Sequence, residues 1–215
     1  FPVSPCPGSA RATMTEFWQE HSEQATVEEM MLDSNARIIS REEVPEILAT
    51  LPALGGLRVL ELGAGIGRYT QHLVKVASQV TAVDFMQKFL DKNKEDNSHH
   101  GNAEFIQADA TQLDFPENRG TGGNRWNSTL LMEHGSSALV WGGMPALVQV
   151  CVCDSALCPC SFDLVFSNWL FMYLSDTELL SLAGRMLDWL SPGGYLFFRE
   201  SCFHQSGTPS PPQQH

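Results

Sequence analysis

The chain has 215 residues, 43% of them hydrophobic, which suffices for one globular domain with a sizeable core. Its formal net charge of −12 argues against nucleic acid or an anionic membrane as a partner, because such partners are bound through clustered Lys and Arg. No apolar run reaches the ~18 residues that span a bilayer, and the N-terminal residues lack the apolar stretch of a signal peptide. We therefore predict a cytoplasmic monomer without nucleic-acid or membrane partners, in which the six cysteines are reduced.

The two ends of the chain are predicted to be disordered. We assign residues 1–13 to a leader, because Met14 opens the first segment with regular patterning, and residues 208–215 to a polar, Pro-rich tail. After the leader, Ser40-Arg-Glu-Glu43 has the spacing of a capping box and predicts a helix over 44–51. One or two helices should therefore precede the rest of the domain.

Short apolar runs then alternate with segments of helical periodicity. The predicted strands are Val59–Gly63, Val80–Phe85, Glu104–Ala108, Phe162–Ser167 and Tyr195–Arg199. Helices are predicted over 66–78 and 87–97, and a third begins at the capping box Ser175-Asp-Thr-Glu178. Because β and α elements alternate and the strands are apolar throughout, we predict an α/β fold with a doubly wound, mostly parallel sheet.

Residues 119–160 break this alternation. Four of these 42 residues are charged, compared with 34 of the other 173, and the segment holds four of the six cysteines. We interpret it as an insertion into a domain that spans 14–207, and hypothesise a translated intron or splice variant. Sequencing of the mature transcript tests this, since a contiguous coding exon contradicts it. The insertion precedes the fourth predicted strand, so we expect it on the far side of the sheet from the carboxyl strand ends.

The cysteines of the insertion raise the question of a metal site. They form two C-x-C pairs within 151–160, whereas structural zinc sites use C-x₂₋₄-C in each half. Four thiolates for zinc remain the alternative, but we predict no metal.

Three alternating glycines, Gly63, Gly65 and Gly67, follow the first predicted strand. Glycine lets the backbone turn sharply and approach a ligand, and the following helix N-terminus presents free N–H groups, so a nucleotide should bind here. A dinucleotide fold uses G-x-G-x-x-G, but Arg68 occupies the third glycine position. The run Glu61-Leu-Gly-Ala-Gly-Ile-Gly67 instead resembles the first motif of class I S-adenosylmethionine-dependent methyltransferases.

Two carboxylates lie in register with this loop. Asp84 ends the second predicted strand, where an acidic side chain can accept hydrogen bonds from both ribose hydroxyls. Asp109 ends the third strand and is followed by Ala110, where methyltransferases commonly hold the adenine amino group. The alternative for either aspartate alone is a strand-end turn or a helix N-cap. The glycine loop, Asp84 and Asp109 together favour a cofactor site, because ligands of open α/β sheets bind at the carboxyl ends of adjacent strands.

Longer runs resemble the first methyltransferase domain of phosphoethanolamine N-methyltransferases, over about 14–118 and 161–207. The runs are Phe17-Trp-Gln-Glu-His-Ser22, Glu28-Glu-Met-Met-Leu-Asp-Ser34, Val59–Thr70, Phe166-Ser-Asn-Trp-Leu-Phe-Met-Tyr-Leu-Ser175 and Phe197-Phe-Arg-Glu-Ser-Cys-Phe-His-Gln-Ser206. The resemblance implies an enzyme that transfers a methyl group from S-adenosylmethionine to phosphoethanolamine, towards phosphocholine and phosphatidylcholine. It implies a Rossmann-like class I methyltransferase fold, here truncated after the fifth strand and lacking the second methyltransferase domain of two-domain members.

The resemblance also implies site residues. Tyr173 occupies the position of a histidine that single-domain relatives use beside the reacting amine, and Trp18 and His21 are the candidates for its N-terminal partner. We predict that Tyr173 and His21 are catalytic residues, and that Tyr173, His21 or a relayed water takes the amine proton. Trp18 and Arg199 are the predicted substrate contacts, with Arg199 binding the phosphate. The predicted cofactor contacts are Gly63, Gly65, Arg68, Asp84, Asp109, Ala110, Asn168 and Ser34.

Two other functions remain compatible with these motifs. One is another small-molecule methyltransferase of the same fold, acting on an amine or a quinone. The other is a non-catalytic truncated isoform that modulates a full-length partner. Transfer of a labelled methyl group to phosphoethanolamine, compared with ethanolamine and phosphatidylethanolamine, separates an enzyme from a binder.

Overall fold

Three helices precede the sheet in the computed structural model, which describes residues 7–115, 146–149 and 162–200. They are α1 (Pro7–Glu20), α2 (Val27–Met31) and α3 (Ala36–Thr50). The first helix begins inside the predicted leader, so the assignment of residues 7–13 to a disordered segment is wrong. Proline suits a first helical turn, where the N–H group that it lacks has no partner. The predicted tail at 208–215 lies outside the described residues.

A capping box starts α2 rather than the helix predicted at 44–51. The Thr26 hydroxyl accepts a hydrogen bond from the Glu29 N–H, and the Glu29 carboxylate accepts one from the Thr26 N–H, both at 3.3 Å. Ser40, the predicted cap, lies inside α3, and its hydroxyl accepts a hydrogen bond from Arg68 Nε at 2.8 Å. The S-x-x-E pattern at 40–43 therefore serves a tertiary contact instead of a helix start.

Six strands form one sheet in the order β3-β2-β1-β5-β6-β4. All neighbouring pairs are parallel except β6 and β4, which confirms the predicted mostly parallel, doubly wound sheet. The strands are β1 (Arg58–Leu62), β2 (Gln79–Asp84), β3 (Ala103–Gln107), β4 (Ala146–Gln149), β5 (Phe162–Asn168) and β6 (Leu190–Arg199). Within the described residues, the connections carry α4 (Thr70–Leu73), α5 (Gln87–Asn97), α6 (Asp176–Trp189) and the 3₁₀ turns Ser98–His100 and Phe171–Tyr173.

Strand β4 comes from the predicted insertion and adds a sixth strand to the five that the sequence predicts. It pairs antiparallel with β6, with Ala146 opposite Phe198 and Gln149 opposite Tyr195. An apolar run pairs here because it satisfies the open edge of β6. Since Phe198 is near the carboxyl end of β6, the segment reaches the carboxyl edge of the sheet instead of staying on its far side. The rest of 119–160, including its cysteines, lies outside the described residues.

Helix α4 is shorter than the helix predicted over 66–78. Only Thr70–Leu73 is α-helical, with turns on both sides. Gly67 has φ of 91°, which a right-handed helix cannot include, so the helix begins beyond the glycine loop. Ala77 then forms a bridge with Gly55, which fixes the chain before β2.

Buried apolar side chains cover both faces of the sheet. One face packs against α3 and α4 and includes the stacked rings of Phe166 and Phe197, whose centroids are 4.7 Å apart. The other face packs against α6 through Leu182, Met186 and Trp189. Each such side chain contributes roughly 1.5–3 kcal/mol, so the strand ends that carry the polar site are held by a rigid core. None of the helices in the described ranges is both long and apolar enough to cross a membrane.

Candidate active site

The loop after β1 depends on glycine for both conformation and space. Gly63, Gly65 and Gly67 have φ of 71°, 54° and 91°. A Cβ atom on Gly67 would lie 2.5 Å from Asn93 Oδ1, and one on Gly65 would collide with the sulfur of Met30. Only glycine therefore fits at these two positions, because Met30 and Asn93 occupy the space that a side chain would need.

Asp84 ends β2 directly beside the glycine loop. One carboxylate oxygen accepts a hydrogen bond from the Gly65 N–H and the other from the Met86 N–H, each at 2.7 Å. Burial raises the pKa of Asp84 to about 6, although these two hydrogen bonds oppose the shift. The carboxylate is thus ionised near neutral pH and retains lone pairs for ligand hydroxyls.

Asp109 and Ala110 follow β3 at the same sheet edge. Asp109 Oδ1 accepts hydrogen bonds from the Thr111 N–H at 2.8 Å and hydroxyl at 2.7 Å, so this aspartate also forms the strand-end turn considered as its alternative role. Arg185 of α6 anchors the turn by donating to the carbonyls of Thr111 at 2.6 Å and Leu113 at 3.1 Å. The turn is therefore fixed from both sides.

Glu61 is buried behind the glycine loop, with 2% of its surface exposed. Its carboxyl accepts a hydrogen bond from the Thr70 hydroxyl at 2.7 Å, and Asn93 Nδ2 donates to that hydroxyl at 2.9 Å. Burial raises the pKa of Glu61 to about 8, and the nearby Asp84 raises it as well. Glu61 is therefore largely protonated at neutral pH in the folded protein.

We expect Glu61 to make stability depend on pH. Its pKa is about 8 in the folded state and 4.5 ordinarily, so its contribution is complete below about 4.5 and is lost as pH rises towards 8. Glu61→Gln should remove this component, which amounts to at most about 1.4 kcal/mol per pH unit. Urea unfolding of both proteins at about pH 5 and about pH 8 measures the difference. Equal pH dependence in the two proteins would contradict the protonated state; the exposed Glu104→Gln is the control.

The fourth wall of the site follows β5. Asn168 ends the strand, and none of the described residues donates a hydrogen bond to its buried Oδ1 atom. Trp169 has φ of 60° and turns the chain into the 3₁₀ turn that carries Tyr173. Burial raises the pKa of Tyr173 above its ordinary 10.0, and the carboxylate of Glu200 raises it further. The Tyr173 phenol is therefore neutral near neutral pH.

These walls enclose a cavity of about 140 Å³ at the carboxyl edge of the sheet. Trp18 of α1 covers it, with ring centroids 5.7 Å from Tyr173 and 5.9 Å from Phe89. Met14, Met30 and Met31 add an apolar, flexible lining. Of the predicted site residues, the structure brings together Trp18, Gly63, Gly65, Arg68, Asp84, Asp109, Ala110, Asn168 and Tyr173.

Three predicted site residues do not line the cavity. Ser34 is exposed beyond α2. The His21 ring stacks on Phe17 at 4.2 Å, with Nδ1 2.7 Å from the Phe17 carbonyl, because the end of α1 folds the ring back onto the preceding turn. Arg199 is bound to a carboxylate of α3 instead.

That carboxylate is Glu43, which joins two arginines. One of its oxygens accepts a hydrogen bond from Arg68 Nη2, and the other accepts one from Arg199 Nη2 at 2.7 Å. Both guanidinium groups also lie over the Trp169 ring, at 5.8 Å and 5.3 Å from its centroid. No sequence pattern indicated this role of Glu43, which the sequence places only in the misassigned capping box. The neighbouring Tyr69 hydroxyl is buried, and its pKa rises to about 12, chiefly through burial.

Comparisons with known proteins agree with this geometry. Residues 59–121 match a family described as a methyltransferase domain. The chain is 43% identical over 202 residues to phosphoethanolamine N-methyltransferase 3 of Arabidopsis thaliana, covering 93% of this chain and 33% of the relative. It is 44% identical over 197 residues to phosphoethanolamine N-methyltransferase of Triticum aestivum, covering 92% and 31%.

A solved structure extends the similarity to the fold. Phosphoethanolamine N-methyltransferase 1 of Haemonchus contortus, in complex with phosphoethanolamine and S-adenosylhomocysteine, superimposes with a TM-score of 0.70 and 30% identity, covering 93% of this chain and 34% of that one. Over nearly its whole length the chain is similar to phosphoethanolamine N-methyltransferases. It has the Rossmann-like class I methyltransferase fold of these relatives, and it spans about a third of the length of the curated relatives that it matches.

No group of three or more His, Cys, Asp or Glu side chains within the described ranges is arranged to hold a metal ion. The cysteine pairs of 151–160 fall outside those ranges, so the prediction that no metal binds remains a prediction.

Proposed function

We propose that this chain transfers a methyl group from S-adenosylmethionine to phosphoethanolamine, towards phosphocholine. The observation that carries the proposal is the convergence of the glycine loop, Asp84, the Asp109–Ala110 turn and Asn168 on one cavity. The similarity to phosphoethanolamine N-methyltransferases supports it, because the Haemonchus contortus relative holds both phosphoethanolamine and S-adenosylhomocysteine. A cytoplasmic location and a monomeric state remain predictions from the sequence.

The described residues fit the cofactor by their chemistry. Asp84 offers carboxylate oxygens to ribose hydroxyls, and the buried Asn168 Oδ1 offers an acceptor for a ligand N–H. The cavity of about 140 Å³ is smaller than the ~300 Å³ or more of typical ligand pockets. Since the Met30 sulfur lies against Gly65, a nucleoside enters only if Met30 moves. A thioether with three rotatable bonds permits this movement.

The mechanism requires positioning and desolvation more than acid–base chemistry. When bound, S-adenosylmethionine would supply a methyl group attached to a positively charged sulfur. The amine lone pair would attack the methyl carbon in line with the carbon–sulfur bond, and S-adenosylhomocysteine would leave. Trp18 and the methionines beside it give the cavity an apolar lining, and burial against apolar surface disfavours the protonated form of an amine. The neutral phenol of Tyr173 can then accept a hydrogen bond from the amine N–H and orient its lone pair.

Phosphate recognition is the least complete part of the site. Within the described ranges, Arg68 is the one cation that lines the cavity, and it is held by Ser40 and Glu43. A phosphate therefore either displaces Glu43 from the arginines or binds through residues outside the described ranges. This observation favours, as a second candidate, methylation of a small amine without a phosphate.

The test is transfer of a labelled methyl group to phosphoethanolamine, ethanolamine and phosphatidylethanolamine in parallel, preceded by calorimetric titration with S-adenosylhomocysteine. The proposal expects binding and labelling of phosphoethanolamine alone. Labelling of ethanolamine at least as fast favours the second candidate. Binding without labelling of any acceptor indicates a non-catalytic binder, and both of these results contradict the proposal.

A further inference from the structure

Glu200 has no role in the cofactor or substrate contacts described above, yet it makes three hydrogen bonds to one wall of the cavity. It directly follows β6, and its carboxylate accepts hydrogen bonds from the N–H groups of Leu170, Phe171 and Met172, at 3.0, 2.9 and 3.2 Å. These N–H groups open the turn that ends in Tyr173. The first N–H groups of a helical turn have no partner within the turn, so a carboxylate there satisfies them and complements their dipoles.

The same turn is strained and needs such support. Trp169 has φ of 60°, a conformation that is strained for a bulky residue and persists only where surrounding contacts enforce it. Its N–H donates to the Arg199 carbonyl at 2.9 Å. Residues 169–172 are thus held by one hydrogen bond to the Arg199 carbonyl and three to the Glu200 carboxylate. Glu200 is partly buried, and this burial raises the pKa of its carboxyl.

We propose that Glu200 is a positioning residue that holds the Tyr173 turn against the cavity. The inference rests on the proposed function, because it assigns Tyr173 the task of orienting the acceptor amine. Leu170, Tyr173 and Leu174 line the cavity, so a shift of the turn moves this wall as a unit. A misplacement of about 1 Å in such a group can lower the rate about 100-fold. The glycine loop and Asp84 belong to other strands and stay in place.

Glu200→Gln in the full-length protein tests the proposal. The amide has one acceptor oxygen and no charge, so the three N–H groups lose their shared carboxylate. We expect hydrogen exchange at the amides of 170–172 to accelerate about 10-fold or more and kcat to fall about 10-fold to 100-fold. KM for phosphoethanolamine and the Kd of S-adenosylhomocysteine should change by less than about 3-fold. Glu200→Asp, which keeps the charge on a shorter side chain, should restore part of kcat.

Glu178→Gln is the matched control, because Glu178 also caps a helix but starts α6, beyond the Tyr173 turn. It should lower stability without lowering kcat. If kcat of Glu200→Gln stays near the wild-type value, or falls no more than that of Glu178→Gln, the role of Glu200 is refuted. If the wild-type protein binds S-adenosylhomocysteine but methylates no phosphoethanolamine, the proposed function fails separately. Unaltered amide exchange at 170–172 in Glu200→Gln then refutes the positioning role by itself.

Discussion

Glu43→Gln should lower the free energy of unfolding by about 3 kcal/mol, because it leaves two buried guanidinium groups without their shared carboxylate. The side chains of Arg68 and Arg199 are 4% and 16% exposed, so water replaces little of the lost interaction. Breaking a buried ion pair from one side typically costs 3–5 kcal/mol, whereas an exposed pair contributes about 0–1 kcal/mol. The partial exposure of Glu43, at 18%, places the expected value at the lower end of that range.

Urea denaturation of Glu43→Gln against Glu46→Gln measures this effect. Glu46 lies one turn further along α3 and is exposed, so its substitution should change the free energy of unfolding by no more than about 0.5 kcal/mol. A loss below about 1 kcal/mol for Glu43→Gln would show that the two arginines find other partners. The result also bears on function, since the same carboxylate competes with a phosphate for Arg199.

The sequence predicted the polar edge of the site because that edge follows from local pattern plus one topological rule. Parallel strands place their carboxyl ends side by side, so Asp84, Asp109 and Asn168 converge once the strands are recognised. The glycine spacing added the conformational requirement at Gly65. Family resemblance contributed Trp18, whose position over the cavity no periodicity indicates.

What the sequence did not predict depends on contacts between distant segments. Glu43 lies 156 residues from Arg199, and its S-x-x-E setting has the same spacing as a true capping box. Met30 fills the space above Gly65 only because α2 packs there. Strand β4 was not predicted for a similar reason, since a short apolar run becomes a strand only when the open edge of another strand, here β6, is available for pairing. Non-local pairing of this kind has no periodic signature in one chain.

Asp84→Asn should weaken binding of S-adenosylhomocysteine about 100-fold. A hydrogen bond to a charged group contributes about 1.5–3 kcal/mol, and an asparagine keeps one acceptor oxygen but no charge. A net loss of about 3 kcal/mol corresponds to roughly 100-fold in Kd. Calorimetric titration measures the change, and Asp91→Asn on the exposed face of α5 is the control, with affinity expected within about 2-fold of wild type.

The pH dependence of cofactor affinity shows whether the negative charge of Asp84, and not only the size of its side chain, contributes to binding. With a pKa of about 6, raised by burial from 3.8, the carboxylate is ionised above pH 6 and gains a proton below it. Ribose hydroxyls donate preferentially to the ionised form, so affinity should be highest above about pH 6 and fall, by up to about 10-fold per pH unit, as pH drops further. Asp84→Asn has no proton to gain and should bind with the same low affinity at about pH 5 and about pH 7.5. If both proteins lose affinity alike on acidification, another group governs binding, and Asp84 serves the Gly65 and Met86 N–H groups rather than the cofactor.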